Sequence, residues 1–246
     1  MLAAQRYNKI LQILKQRHSI TVTELSKILK ASEATVRRDI NVLHTKGVLI
    51  KIYGGAMSPE SYLTTEEKVQ IRETVNIKQK MIIAAQAVKL IKASDVVYID
   101  AGTTTSLLIE QLQEKNATYV TNDASHAVKL MDLGFETIII GGNMKSVTYA
   151  AVGALAVANV QRYNFTIGFF GTNGISLTAG FTTPTTEEAM IKEAAIRHCK
   201  KAYVLADSSK FGKITPVNFA VLNMASIITD KKPDDSYEKY NIILPD

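Results

Sequence analysis

Ser32-Glu33-Ala34-Thr35-Val36-Arg37-Arg38-Asp39-Ile40-Asn41-Val42-Leu43 is the stretch on which the rest of the chain depends. Its pattern predicts a short helix. Ser32 is a good N-cap, because its hydroxyl can accept from a first-turn amide that has no intrahelical partner. Glu33 places an acid where the helix dipole favours one. Val36, Ile40 and Leu43 recur at i, i+4 and i+7 and make one apolar stripe. The opposite side carries Ala34, Arg38, Asn41 and Thr45, flanked by Thr35 and Arg37. A small residue beside an arginine suits a helix that enters a groove of DNA, where Arg can read guanine and Asn adenine, each by two hydrogen bonds. Taken alone, the stretch is better read as an ordinary amphipathic helix with solvated arginines. Its surroundings reverse that preference.

Upstream, residues 5–17 carry Tyr7, Ile10, Leu11 and Leu14 at helical spacing, and residues 19–22 read as a short strand. Thr23 is the expected N-cap of a second helix that buries Leu25, Ile28 and Leu29. Lys30-Ala31 is then the tight turn of a helix-turn-helix. Downstream, residues 48–56 form an apolar strand ending in Gly54-Gly55, the pattern of a hairpin wing. Lys51 and Tyr53 share one face of it and could reach phosphates. The expected DNA contacts are therefore Ser32, Ala34, Thr35, Arg37, Arg38, Asn41, Lys51 and Tyr53. Charge agrees: residues 1–57 hold ten Lys/Arg against three Asp/Glu, a net of +7, while residues 58–246 hold 19 against 20, a net of −1. The excess positive charge lies in the first fifth of the chain, which points to a polyanionic partner there.

Length allows two modest domains or one large one. Cys199 is the only cysteine, so no disulfide forms within the chain, as in a reducing compartment. No signal peptide and no bilayer-spanning apolar run is found, and a cytoplasmic protein without membrane association is expected. The four histidines are scattered, so no metal site and no cofactor is expected.

The run Thr35-Val36-Arg37-Arg38-Asp39-Ile40, then Leu43, Gly47 and Lys51-Ile52-Tyr53-Gly54-Gly55-Ala56, resembles the DeoR family of bacterial transcriptional regulators, and the resemblance extends over nearly the whole chain. It implies a winged helix-turn-helix that binds operator DNA, followed by an α/β domain that senses a phosphorylated sugar and is similar in fold to ribose-5-phosphate isomerase. The family usually has Arg at position 51 and His at position 53. Arg72 resembles an arginine the family keeps shortly before the sensor. The expected division is 1–57 for the DNA-binding domain, 58–75 for a linker and 76–246 for the sensor. A dimer or tetramer is expected, since one short helix reads too few base pairs for operator specificity.

From residue 76 short apolar strands alternate with helices, which predicts an α/β domain with a largely parallel sheet. Its first helix, residues 77–91, should turn Met81, Ala84, Ala85, Val88 and Ile91 inward. Ligands of open α/β sheets bind beyond the carboxyl ends of strands, so the segments that follow each strand are the candidates. Asp100-Ala101-Gly102-Thr103-Thr104-Thr105 leads into a helix N-terminus, a ready anion site. Asn122 follows the next strand, and Asp207-Ser208-Ser209-Lys210 follows a late one. Thr103, Thr104, Thr105 and Lys210 suit a phosphate; Asp100, Asn122 and Asp207 suit sugar hydroxyls; Gly102 lets backbone approach the ligand. Each segment alone reads as a loop, but their convergence favours a small anionic ligand. The resemblance likewise implies that residues 100–105 and 207–210 line the effector pocket.

A sugar-phosphate isomerase carrying a DNA-binding head is the alternative. It needs a carboxylate base, and position 164, commonly Asp in the family, is Asn164. Glu187 and Glu188 are the remaining acids and read better as the solvated first turn of a helix. No catalytic residue is assigned.

Overall fold

Three helices and a small antiparallel sheet open the computed structural model, which describes residues 2–17, 19–59 and 69–245. In order they are α1 (Ala3–Arg17), β1 (Ser19–Thr21), α2 (Val22–Leu29), α3 (Glu33–Thr45), β2 (Ile50–Ile52) and β3 (Gly55–Met57). One core joins Ile10, Ile13 and Leu14 of α1 to Leu25 and Leu29 of α2 and to Val36, Ile40 and Leu43 of α3. The apolar stripe of α3 is thus buried as its spacing predicts. Ser32 caps the helix, its hydroxyl accepting from the Thr35 amide at 3.3 Å.

The second helix begins earlier than expected. Thr21, not Thr23, is its N-cap: the Thr21 hydroxyl accepts from the Glu24 amide at 3.1 Å and the Glu24 carboxylate accepts from the Thr21 amide at 3.1 Å. This reciprocal box satisfies two amides that Thr23 could not reach. The Thr23 hydroxyl donates instead to Glu33, at 2.8 Å. Ile28 lies half exposed at the rim of the stripe, and Val22 joins Leu25 and Leu29 in the core. In the wing, β3 pairs antiparallel with both β2 and β1. Gly54 turns the hairpin at φ +77°, and a Cβ on Gly55 would stand 2.3 Å from the Ile20 carbonyl oxygen, so only glycine lets β1 approach.

After the head, α4 (Val69–Thr74) occupies the second half of the segment expected as linker, whose residues 60–68 lie outside the described residues. The remaining elements are α5 (Ile77–Val88), β4 (Val96–Ile99), α6 (Thr103–Glu110), β5 (Thr118–Thr121), α7 (Ala124–Asp132), β6 (Glu136–Ile139), β7 (Asn143–Met144), β8 (Ala151–Val152), α8 (Ala154–Val160), β9 (Phe165–Gly171), β10 (Gly174–Ser176), β11 (Gly180–Thr183), α9 (Thr186–Arg197), β12 (Cys199–Leu205), β13 (Val217–Ala220), β14 (Ser226–Ile228) and β15 (Ile242–Ile243). The inward face of α5 differs from expectation. It presents Lys80, Ile83, Ala84 and Ala87, while Met81 is half exposed. The helix is turned so that a lysine occupies its apolar stripe, because that lysine has partners inside.

Seven strands form one parallel sheet in the order β15-β14-β12-β9-β4-β5-β6. Alternate residues feed two cores, one on each face: Tyr98 and Phe170 on one side, Val97, Ile99, Ile167 and Phe169 on the other. A second sheet, β10-β11-β13, is antiparallel and lies against α9. From β4 the chain moves outward through β5 and β6, then returns to place β9 on the other side of β4. The carboxyl ends of β4 and β9 therefore flank the topological switch point, where such sheets open a crevice.

Candidate functional site

Two surfaces stand out, one on each unit. On the head, Ala34, Arg37, Arg38 and Asn41 of α3 are exposed, Thr35 is half buried, and Ser32 is exposed at the cap. Arg38 makes no ion pair with a described residue, whereas Arg37 lies 3.5 Å from Glu33. Lys51 is exposed on β2, and Tyr53 at the hairpin tip is 98% exposed. A tyrosine so exposed packs against none of the described residues. Asp39 is a site that helical spacing alone does not mark. It is buried, and its two carboxylate oxygens accept from Arg6 at 2.6 and 3.0 Å, a two-bond clamp that fixes α3 on α1. Its signal was a charged residue next to the stripe position Ile40.

On the second unit, a cavity of about 70 Å³ sits at the switch point. Its walls include Gly102, Thr103 and Thr104 after β4, Gly171 at the end of β9 with Thr172 and Asn173 after it, and Asp207 and Lys210 after β12. Arg72, Lys80, Thr148, Glu188 and Lys192 complete the charged and polar lining. Pockets for drug-sized ligands run to roughly 300 Å³ or more, so this one suits a small molecule or one end of a larger one. Four cations face two acids, and each acid is already engaged. Glu188 accepts from Lys145 at 3.1 Å and from the Thr183 hydroxyl at 2.9 Å. Asp207 accepts from the Asn76 amide group at 3.1 Å and from the Ser209 amide at 3.0 Å, capping the turn that carries Lys210.

Lys80 is the residue that best reveals the character of the cavity. The residue is only 5% exposed, and its ammonium donates to the Thr103 hydroxyl at 2.9 Å and to the Arg72 carbonyl. Burial, with Lys210 and Arg72 adding repulsion against the attraction of Asp207, lowers its pKa to about 8. A lysine so strained electrostatically is stabilised by any anion that enters.

The structure divides the expected effector residues. Gly102, Thr103, Thr104, Asp207 and Lys210 line the cavity together. Asp100, Asn122 and Thr105 stand behind it. Asp100 is buried, accepting from the Gly171 amide at 3.0 Å and from the Lys192 ammonium. Burial pushes its carboxyl up, and Lys192 and the amide pull it back. Asn122 accepts from the Tyr98 hydroxyl and the Ala101 amide and donates to the Ala151 carbonyl, so its amide braces the loop rather than facing a ligand. The Thr105 hydroxyl donates to the Gly102 carbonyl at 2.8 Å. Gly102 itself is extended at φ 166°, open to any residue, so backbone freedom is not its role. Glu188, read as solvated, is instead buried: α9 turns it inward with Lys192, one helical turn on. Lys80, Lys192 and Glu188 share one missed signal, a charge inside an apolar stripe. Thr148, in the loop between β7 and β8, gave none.

Burial raises the Cys199 thiol to about 12, which leaves it unreactive. Among the described residues no cluster of His, Cys, Asp or Glu could hold a metal ion, and no helix is long and apolar enough to cross a membrane.

Residues 6–62 match the DeoR-like helix-turn-helix domain and residues 75–231 match the DeoR C-terminal sensor domain. The chain is 35% identical over 241 residues to the uncharacterized HTH-type transcriptional regulator FruR of Bacillus subtilis, covering 98% of this chain and 96% of that one. It is 33% identical over 238 residues to the lactose phosphotransferase system repressor of Staphylococcus epidermidis, covering 95% and 94%. Among solved structures, ribose 5-phosphate isomerase A of Methanocaldococcus jannaschii aligns with a TM-score of 0.40 and 18% identity, over 55% of this chain and 54% of that one.

Proposed function

The chain belongs to the DeoR family of transcriptional regulators, and from that premise we propose that it is a sequence-specific DNA-binding repressor of a sugar-utilisation operon, acting in the cytoplasm and modulated by a phosphorylated sugar. The exposed Ala34, Arg38 and Asn41 face of α3, on a head of net charge +7, carries the DNA half of this reading. α3 enters the major groove and reads bases, and Lys51 and Tyr53 of the wing lie along the backbone beside it. Two heads work together as a dimer or higher oligomer, each reading one half-site. The division into a DNA-binding domain over 1–57 and a sensor from residue 76 follows the same reading.

The cavity carries the effector half. Its positive charge, without an ion-pair partner among the described residues, comes from Arg72, Lys80 and Lys210, and the α6 amino terminus with Thr103 and Thr104 adds donors suited to a phosphoryl group. Hydroxyls of the sugar meet Asp207, Asn173 and Thr172. Effector binding changes operator affinity only by the difference in its affinity for two arrangements of the oligomer. The isomerase alternative needs a free carboxylate in the cavity, and Glu188 and Asp207 are both held by neighbouring donors.

Gel-shift titration of the full chain against operator DNA, with and without phosphorylated sugars, is the test. Expected are operator binding at nanomolar to micromolar protein, altered by one phosphorylated sugar, and no turnover of that sugar. Turnover would establish the enzyme reading instead.

A further inference from the structure

The first described element after the head forms one wall of the cavity. α4 supplies Arg72, whose carbonyl accepts from Lys80. The loop between β7 and β8 supplies Thr148, and this loop also grips α4: the Val69 amide donates to the Val147 carbonyl at 3.4 Å, and the Gln70 side chain donates to the Tyr149 hydroxyl at 3.2 Å. Tyr149 sits at φ 57°, a left-handed conformation uncommon for such a residue.

Two atoms in this wall are incomplete. Among the described residues, five have a buried side-chain nitrogen or oxygen without a hydrogen-bond partner: Arg72, His126, Thr148, Thr215 and Thr229. Of these residues only Arg72 and Thr148, whose unpartnered atoms are Nε and Oγ1, line the cavity. Thr148 is 5% exposed, so water does not bathe its hydroxyl freely. Buried polar groups are nearly always partnered, and one left without a partner carries a desolvation penalty. A guanidinium edge and a hydroxyl, both lining one small cationic cavity, match a phosphomonoester that also bears a free hydroxyl.

We infer that Arg72 and Thr148 are specificity-determining ligand contacts, Arg72 to a phosphoryl oxygen and Thr148 to a hydroxyl of the same molecule, and that an occupied cavity thereby fastens α4 to the sensor. This deepens the reading of the cavity as an effector site and rests on it. The ligand then completes a bridge from the sheet to α4, and the order of α4 reports occupancy.

The test uses the full chain, as wild type, Thr148→Val and Arg72→Gln. Inorganic phosphate, glycerol 3-phosphate, fructose 1-phosphate and fructose 6-phosphate serve as probes in thermal-shift and calorimetric titrations. Hydrogen exchange of residues 69–74 is followed in parallel. The expected result is that one ester stabilises wild type more than phosphate does. Thr148→Val should keep or raise the ligand-free midpoint, since its hydroxyl has no partner among the described residues to lose. It should also lose on the order of tenfold in affinity for that ester while holding phosphate unchanged. Arg72→Gln should weaken ester and phosphate alike and abolish the ligand-dependent slowing of exchange in α4. Variants that keep wild-type affinity and wild-type slowing would overturn this inference and leave the effector reading intact. A wild type unmoved by every ester, and by phosphate at concentrations on the order of 10 mM, would overturn both.

Discussion

In the function proposed above, Arg38 and Lys80 carry the two roles at the scale of single residues. Arg38 is exposed at the centre of the α3 outer face, so Arg38→Ala should cost about 1–3 kcal/mol of operator binding and relax preference at one base position. Footprinting and competition with single-base operator variants measure both. Lys80 gives a pH signature. In the free chain its pKa is lowered to about 8, chiefly by burial. A bound phosphoryl group favours the ammonium form and raises that pKa, so binding takes up a proton wherever the free lysine has lost one. Affinity for a phosphomonoester should therefore fall as the pH rises through about 8, from its full value well below that pH, and Lys80→Met should flatten that fall. Calorimetry across this window decides it. The ligand-free chain should behave oppositely, gaining stability as pH rises from about 8 toward 10.5, because the unfolded lysine still holds its proton there. Much of this scale was hidden in the sequence. Ala34, Arg38 and Asn41 follow from helical geometry alone. Asp39, Lys80, Glu188 and Lys192 do not, because periodicity assigns charged side chains to solvent and cannot see the partner that brings them inside.

At the scale of elements, α3 is held by three devices: the Ser32 cap, the Val36-Ile40-Leu43 stripe and the Arg6–Asp39 clamp. Ser32→Ala should cost about 1 kcal/mol of head stability, measured by chemical denaturation of the head transition. Ile40→Ala should cost about 2–5 kcal/mol. A head of this size is stable by only roughly 3–8 kcal/mol, so DNA binding should be largely lost while the ligand-induced thermal shift of the sensor persists. Loss of both together would mean that the two units do not fold independently. In the wing, Lys51→Ala should lower the salt slope of DNA binding by about one without altering sequence preference. The long periodic helices and the apolar strands β4, β5, β9 and β12 were legible because each is decided by local pattern. The strands β7, β8, β10, β11 and β13 were not. They are two to four residues long, too short for alternation to show, and β13 exists through a partner distant in sequence, Phe181 in β11 facing Ala220 in β13. The Thr21 cap was missed because Thr21 and Thr23 both lie at the start of the helical pattern, and only the reciprocal bonds between Thr21 and Glu24 separate them.

The whole molecule divides labour between a cationic amino-terminal reader and a cavity placed where the sheet changes direction. That placement follows from topology: with β9 beside β4, the loops after both strands must meet, and Asp207 and Lys210 after β12 lie beside them. Operator affinity should fall steeply with salt through the head, by about 0.9 logarithmic units per decade for each phosphate contacted. The cavity residues should contribute nothing to that slope. The most direct test is selection from a random pool of double-stranded DNA by the full-length chain and by its Arg38→Ala variant, read by sequencing. Wild type should enrich a motif of two repeated half-sites, and the variant should enrich the same motif loosened at one position in each half. No enrichment by wild type, or an identical motif from both proteins, would contradict the assignment of α3 as the base-reading helix.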